Sequence, residues 1–149
     1  MRGVAGADSH GPLRPGLRRL RFEALEYRRM LDGVPLITEF MADNVSTLYS
    51  LSLDDYPDWI ELYNPGPGSV DLKDWYLSDR KGELHRWQFP QTCAVAEDEF
   101  FVVFASGENT ITPEGEWHTN FKLGAGGEYL ALVRPDGTTV VSEYDPAYP

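Results

Sequence analysis

Three aspartates that lie close together in the chain, Asp54, Asp55 and Asp58, carry the side chains best suited to metal chemistry. Carboxylate oxygens are hard ligands of the kind that Ca²⁺ prefers. Their spacing differs from that of an EF-hand loop, and acidic loops in proteins are commonly just solvated. The main prediction is therefore that the protein has no metal site and no cofactor, with Ca²⁺ as the alternative.

The histidines are the next candidates for chemistry, and the sequence has only His10, His85 and His118. Catalysis by a serine, a histidine and an aspartate needs the base and the nucleophile to meet in space. Ser78, Asp79 and His85 supply the residue types, but no nucleophile elbow or oxyanion loop accompanies them. We therefore predict no enzymatic site, and a hydrogen-bonding role within a loop for His118.

Aromatic residues offer a third kind of site, because aromatic rings stack on the apolar faces of sugars. Trp75, Tyr76, Trp87 and Trp117 are the residues that could form such a platform. Most tryptophans of a β-sandwich lie in its core, and we expect this of Trp75 and Trp87, in the core or at its rim. Trp117 lies in a polar stretch, so it is the tryptophan expected to be exposed and available to a ligand.

The composition limits the class of protein that can carry these residues. A chain of 149 residues is the length of about one domain and can bury a core without further support. Cys93 is the only cysteine, which excludes an internal disulfide, and no cysteine–histidine cluster has zinc-ligand spacing. The net charge of -11 argues against nucleic-acid binding, and no apolar run is long enough to span a membrane.

The charge is distributed unevenly along the chain. Residues 1–31 contain seven arginines and three acids, a net charge of +4, which leaves −15 for residues 32–149. The first 33 residues are therefore predicted to be a separate basic tail of targeting type, ahead of a domain at 34–149. The tail should be disordered up to Leu17. Apolar residues recur at helical spacing from Leu17 to Leu31, which predicts a short amphipathic helix or a solvated, partly helical segment.

Part of this tail resembles a known export motif. Residues 22–31, Phe-Glu-Ala-Leu-Glu-Tyr-Arg-Arg-Met-Leu, are similar to the LEPRxLL motif near the amino terminus of large exported bacterial surface proteins. Tyr27 replaces the proline of that motif, and Met30 replaces the first leucine of its closing pair. The resemblance implies an exported or cell-surface protein.

Beyond residue 35 the pattern is that of an all-β domain, with short apolar or alternating runs between turn residues. The predicted strands are Leu36–Ala42, Asp58–Asn64, Trp75–Ser78, Arg86–Phe89, Phe100–Ala105, Glu128–Val133 and Thr139–Tyr144. About seven short antiparallel strands favour a sandwich or a barrel. The stretch from Asp43 to Pro57 lacks sustained alternation and is predicted to be a surface excursion.

Strand alternation also predicts which side chains face the core. Ile60 and Leu62 should lie on the core face of their strand, with Glu61 on the opposite face accepting hydrogen bonds from a neighbouring turn. Leu130 and Leu132 should share one face of a later strand. The strand Phe100–Ala105 is apolar on both faces and is expected to be central and covered on both sides.

Several motifs in a fixed order resemble the bacterial lamin-tail domain over roughly residues 36–145. The residues that carry the resemblance are Asp58, Trp59, Ile60, Glu61, Leu62, Tyr63 and Asn64, then Trp75, then Trp87, Phe89 and Pro90, then His118, Asn120 and Phe121. What the resemblance implies is an immunoglobulin-like antiparallel β-sandwich, in a family not known for catalysis. Such domains occur in long exported proteins beside enzymatic or adhesive partners, so we expect the front part of a longer protein, in which a last strand of the domain at 34–149 or the next domain lies outside this chain.

The resemblance and the composition together predict a non-catalytic interaction or scaffolding module that attaches to a protein or to a surface polysaccharide. One alternative is a carbohydrate-binding module, assisted by Ca²⁺. Another is a domain that presents a downstream enzymatic domain, for example a spore-coat-kinase-like one, outside this chain. The sequence does not identify the ligand or the oligomeric state.

Overall fold

The computed structural model describes residues 18–19, 34–127 and 129–145, and this part of the chain contains β strands and no helix. The strands are β1 (Arg18–Arg19), β2 (Leu36–Ala42), β3 (Asp58–Tyr63), β4 (Val70–Asp71), β5 (Tyr76–Ser78), β6 (Trp87–Gln88), β7 (Ala94–Val95), β8 (Phe100–Ala105), β9 (Thr110–Ile111), β10 (Trp117–His118), β11 (Leu130–Val133) and β12 (Val140–Tyr144).

The strands form two main sheets and a small ribbon. The larger sheet has the order β1-β2-β3-β8-β10-β9, the smaller one β12-β11-β5-β6, and β4 pairs with β7. Every pairing is antiparallel except that of β10 with β8, which is parallel. The longest ladder joins β3 to β8, with Asp58 opposite Ala105 and Tyr63 opposite Phe100.

The core lies between the two main sheets and contains side chains from both of them. Ile60 and Leu62 of β3 pack in the same cluster as Leu130 and Leu132 of β11, which belongs to the other sheet. Side chains of a strand alternate between the two faces of a sheet, so these residues place both strands face to face. Two apolar sheets that bury one shared core form a β-sandwich, which confirms the predicted fold class.

Each sheet also buries a second, smaller cluster on its outer face. Met41, Trp59 and Phe104 form this cluster on the larger sheet, with Leu48 packed against it. On the smaller sheet the outer cluster contains Tyr129, Ala131 and Val133 of the β11 segment. The alternation predicted for β3 and β11 is therefore confirmed on both faces.

All seven predicted strands are present, and β2 and β8 have the predicted bounds. The short strands β4, β7, β9 and β10 were not predicted. The expectation that β8 is covered on both sides is wrong at its first residue, because Phe100 is 58% exposed. The stretch from Asp43 to Pro57 contains no strand beyond the isolated bridge of Ser50 with Asp55, as predicted.

The predicted basic tail, 1–33, lies outside the described residues except at two positions. Arg18 and Arg19 pair with Ala42 and Met41, so the chain at these two positions is extended rather than helical. The remainder of the predicted helix from Leu17 to Leu31 lies in undescribed parts of the chain. Within the described ranges, no helix has the length and apolarity to cross a membrane.

Candidate functional site

The excursion between β2 and β3, residues 43–57, is the feature of this fold that differs most from ordinary packing. We call it the 43–57 loop. It carries four of the five large hydrophobic side chains that are exposed in the described part of the chain: Val45, Tyr49, Leu51 and Tyr56. Leu51 is 71% exposed and Val45 is 62% exposed. Apolar side chains that gather on one surface segment are typical of interaction sites.

Three polar side chains of the 43–57 loop, those of Asn44, Ser50 and Ser52, are wholly or partly buried and fix its conformation. Asn44 is buried, and its Nδ2 donates to the carbonyl oxygens of Leu48, at 2.8 Å, and Pro57, at 2.9 Å. Its Oδ1 accepts from the backbone N–H groups of Ser46 and Thr47. A single buried amide therefore closes both ends of the loop, and satisfied amide groups of this kind make an irregular segment rigid.

Glu116, just before β10, accepts hydrogen bonds from residues 50–52 in the middle of the 43–57 loop. Its Oε2 accepts from Ser50 Oγ at 2.8 Å, from Ser52 Oγ at 2.5 Å and from Ser52 N at 3.2 Å, and its Oε1 accepts from Leu51 N at 2.8 Å. The Glu116 side chain is only 14% exposed, and burial by itself opposes its ionisation. The hydrogen bonds that it accepts outweigh the burial and lower the pKa of Glu116 to about 2.

His118 connects this carboxylate to the sheet. The imidazole is fully buried, with Nδ1 at 2.9 Å from Ser106 Oγ and Nε2 at 3.4 Å from Glu116 Oε2 and 3.3 Å from Ser52 Oγ. Its ring stacks on Phe104 of β8 at 5.2 Å between centroids. The hydrogen-bonding role predicted for His118 is confirmed, but the residue belongs to β10 and lies under the loop rather than within a loop.

The order Ser106–His118–Glu116 has the residue types of a catalytic relay without the exposure that one requires. Both ring nitrogens of the buried His118 already have polar neighbours, and Ser106 Oγ also accepts from the N–H of Glu108. The other combination considered from the sequence is not assembled. Ser78 Oγ lies 2.7 Å from the Glu83 carbonyl oxygen and 2.9 Å from that of Arg80, while His85 Nε2 lies 2.9 Å from the Gly137 carbonyl oxygen. These contacts are those of structural networks.

A recess of about 370 Å³ opens beside the base of the 43–57 loop. Its lining includes the carboxylates of Asp43, Asp55, Asp58 and Glu108, together with Lys122 as its basic residue. Both oxygens of Asp58 accept backbone N–H groups, Oδ1 from Asn44 and Oδ2 from Leu123. Burial nevertheless raises the pKa of Asp58, and the nearby charge of Asp43 acts in the same direction. The recess therefore has a negative electrostatic potential.

The three aspartates considered for Ca²⁺ have separate partners. Asp54 accepts a hydrogen bond from the Tyr49 hydroxyl and Asp55 from the N–H of Tyr56, while Asp58 is bound by the backbone as above. Among the described residues, no group of three or more histidine, cysteine, aspartate or glutamate side chains is arranged to hold a metal ion.

The expectation that Trp117 is exposed is wrong. Trp117 is 8% exposed and packs in the main core, where its ring contacts Phe89 at 5.9 Å and Phe101 at 5.6 Å between centroids. Trp75 and Trp87 are also buried in that core, as predicted. The three buried tryptophans cannot present faces to a sugar, so the predicted aromatic platform is not formed by them.

The other motif residues also have structural partners. Glu61 accepts from Thr38 Oγ1 of β2 at 2.7 Å, so its donor lies on a neighbouring strand and not on a turn. Asn64 organises the turn after β3 by donating to the carbonyl oxygens of Gly68 and Val95. Asn120 Nδ2 donates to the Arg86 carbonyl at 2.8 Å.

The remaining motif residues divide by burial. The side chains in the main core are those of Ile60, Leu62, Phe89 and Phe121, whereas Pro90 is exposed. Trp59 is buried in the outer cluster of the larger sheet. Tyr63 is half-buried, and its hydroxyl donates to Asp98 Oδ1 at 2.9 Å. The motif residues therefore form the structural scaffold of the domain. The sequence did not predict the residues that fix the conformation of the 43–57 loop, which are Asn44, Ser50, Ser52 and Glu116.

The two-sheet arrangement with its shared core defines an immunoglobulin-like β-sandwich. The model of the lamin tail domain family matches residues 32–146, which is most of the chain, and the chain therefore belongs to that family. No curated protein matches the sequence. The family is one of immunoglobulin-like, non-enzymatic domains, which agrees with the structural contacts of the serine, histidine and glutamate residues described above.

Proposed function

We propose that this domain is a non-catalytic interaction module and that it binds a protein partner through the 43–57 loop. The observation that supports the proposal is that internal hydrogen bonds of the buried Asn44 and Ser50 side chains hold the loop, while its large apolar side chains are exposed: Val45, Tyr49, Leu51 and Tyr56. A rigid apolar surface loses little conformational entropy when it binds, because its conformation is already fixed. The resemblance of residues 22–31 to an export motif supports a site of action at the cell surface or outside the cell.

The size of the exposed side chains sets the expected contribution to binding. Full burial of a leucine or a valine contributes about 1.5–3 kcal/mol, so the loss of Leu51 and Val45 together should weaken a complex by more than tenfold. Interfaces concentrate their binding energy in a few central residues of this kind. Leu51, at the tip of the loop, is the residue we expect to contribute most.

A selection from a displayed random-peptide library tests the proposal. The wild-type domain should enrich peptides whose affinity falls more than tenfold for the double variant Val45→Ser/Leu51→Ser. The variant Phe100→Ser is a matched control, because it removes an exposed apolar side chain elsewhere and should leave the affinity unchanged. Failure to enrich any peptide, or enriched peptides that bind the double variant normally, would contradict the proposal.

A second candidate function, carbohydrate binding, is favoured by one observation outside the 43–57 loop. Phe100 is exposed, and its ring lies on that of Tyr63 at 4.6 Å between centroids and 30° between planes. The Tyr63–Phe100 pair is thus the aromatic surface that Trp117 was expected to supply. Titration with soluble cellulose and chitin oligosaccharides tests it, because binding should disappear in Phe100→Ala while the loop variants bind normally. Absence of binding to wild-type protein would rule this function out for those sugars.

A further inference from the structure

The acidic recess lies directly beside the apolar surface of the 43–57 loop, and the two share residues. Tyr56 is an exposed aromatic side chain of the loop and also lines the recess, as do Leu53 and Pro57. A partner that packs on Tyr56 therefore also lies against the recess. The chemistry of the recess then determines which partner residue can enter it.

Charge and size restrict what can enter the recess. Asp43, Asp55 and Glu108 are exposed, and Lys122 is the basic residue among the lining side chains. A volume of about 370 Å³ is at the lower end of the range for sites that take a small molecule, so it suits one long side chain. An acidic side chain would meet like charge there, and a second copy of the domain would approach with the same excess of negative charge.

We infer that the recess receives an arginine or lysine side chain from the protein partner, while neighbouring apolar residues of that partner pack on Tyr56 and Leu51. This inference rests on the proposed function, since it names the chemistry of the partner bound by the 43–57 loop. A guanidinium group can bind carboxylates through two parallel hydrogen bonds, so arginine is the better match for the several carboxylates around the recess.

Titration of the labelled full chain with argininamide, followed by amide chemical shifts in NMR, tests the inference. Shifts should appear at Asn44 and Ser106 and saturate in the millimolar range. The matched probe is citrullinamide, which has nearly the same shape without the charge and should produce no saturable shift. The variant Asp55→Asn/Glu108→Gln should weaken argininamide binding at least tenfold, while Glu114→Gln, on an exposed residue outside the recess, should not change it.

The inference is overturned if argininamide causes no shift around the recess, or if citrullinamide causes the same one. The library selection separates this failure from that of the proposed function. Enriched peptides that need Leu51 but lack arginine and lysine would support binding by the 43–57 loop and refute the inference that the partner inserts a basic side chain into the recess. If argininamide binds at the recess but the selected peptides bind the loop variants normally, the recess remains a cation-binding site and the proposal that the 43–57 loop binds a partner is refuted.

Discussion

Removal of the Glu116 carboxylate should make the 43–57 loop more mobile while the β-sandwich remains folded. Four hydrogen bonds from residues 50–52 end on its two oxygens, and His118 lies against one of them. In Glu116→Ala, the hydroxyl of the fully buried Ser50 loses its hydrogen bond to the carboxylate. The backbone N–H of Leu51 loses its acceptor too, but Leu51 is exposed, so this N–H can donate to water instead. The cost therefore falls mainly on the buried part of the network.

The expected magnitude can be worked out from the same set of hydrogen bonds in two ways, through the pKa of Glu116 and through the bonds themselves. The pKa of Glu116 is lowered from 4.5 to about 2. A difference of that size corresponds to roughly 3 kcal/mol of stability that depends on the ionised carboxylate. The hydrogen bonds suggest a similar value, because a bond to a charged group contributes about 1.5–3 kcal/mol when buried and less when water can replace it. We therefore expect Glu116→Ala to lower the free energy of unfolding by about 3 kcal/mol.

Glu116→Gln should cost less, and for an identifiable reason. One oxygen of Glu116 accepts from Leu51 N and the other from Ser52 N. Whichever way the glutamine amide is turned, its NH₂ group faces one of these backbone donors, which then loses its protein acceptor and is repelled by the NH₂ group. The expected loss is about 1–2 kcal/mol, the usual cost of an unsatisfied backbone group.

Urea unfolding at pH 7, followed by tryptophan fluorescence, measures these differences, and hydrogen exchange at Leu51 and Ser52 locates them. Glu114→Gln is the matched control and should change stability by less than about 0.5 kcal/mol, as surface substitutions usually do. The reasoning is refuted if Glu116→Ala unfolds within about 0.5 kcal/mol of wild type, or if its loop amides remain fully protected.

The same carboxylate gives a dependence on pH whose sign can be worked out. The folded-state pKa of Glu116 lies below the unfolded value, so its stabilising contribution is complete above about pH 4.5 and declines as the pH falls towards about 2. The difference in unfolding free energy between wild type and Glu116→Gln should therefore shrink across that interval. A difference that stays constant from pH 6 to pH 2.5 would contradict the assignment.

Three further outcomes are expected. Trp117→Ala should lower the free energy of unfolding by about 3–5 kcal/mol in urea titration, as for other buried tryptophans, and a loss below 1 kcal/mol would contradict its place in the core. The Cys93 thiol should resist a disulfide reagent at pH 8 until the domain unfolds, because burial, helped by the charge of Asp71, raises the pKa of Cys93 to about 12. Millimolar Ca²⁺ should leave the melting temperature unchanged, since the described carboxylates do not converge on one metal position; a clear rise would reveal binding to the folded state.

The long strands could be predicted from the sequence because each depends on a pattern within itself. β2 and β8 are runs of six or seven mostly apolar residues, and they appear with the predicted bounds. The alternation of Ile60 and Leu62 with Trp59 and Glu61 fixes the two faces of β3, since neighbouring side chains of a strand point in opposite directions. The two-residue strands β4, β7, β9 and β10 have no such pattern, because their pairing is set by partners distant in sequence.

Trp117 shows why the polarity of neighbouring residues does not always predict exposure. Its neighbours Glu116 and His118 are polar, and polar neighbours normally indicate a surface segment. Here Glu116 and His118 face the 43–57 loop on the outer side of the larger sheet, while Trp117 faces the core. Both polar residues are covered by a loop that lies more than sixty positions earlier in the chain. No reading of residues 110–120 alone contains that information.

The 43–57 loop reverses the usual relation between polarity and burial, and this explains how one segment can be both fixed and available for binding. A surface loop that buried its apolar residues would gain stability but leave a polar outer face. This loop instead satisfies its inner polar groups with Asn44 and Glu116, so its hydrogen bonds hold the conformation and its apolar side chains are left for a partner. Glu116→Ala should therefore affect binding as well as stability. If the loop must be rigid to bind, peptides that depend on Leu51 should lose affinity in Glu116→Ala even though Glu116 does not touch them.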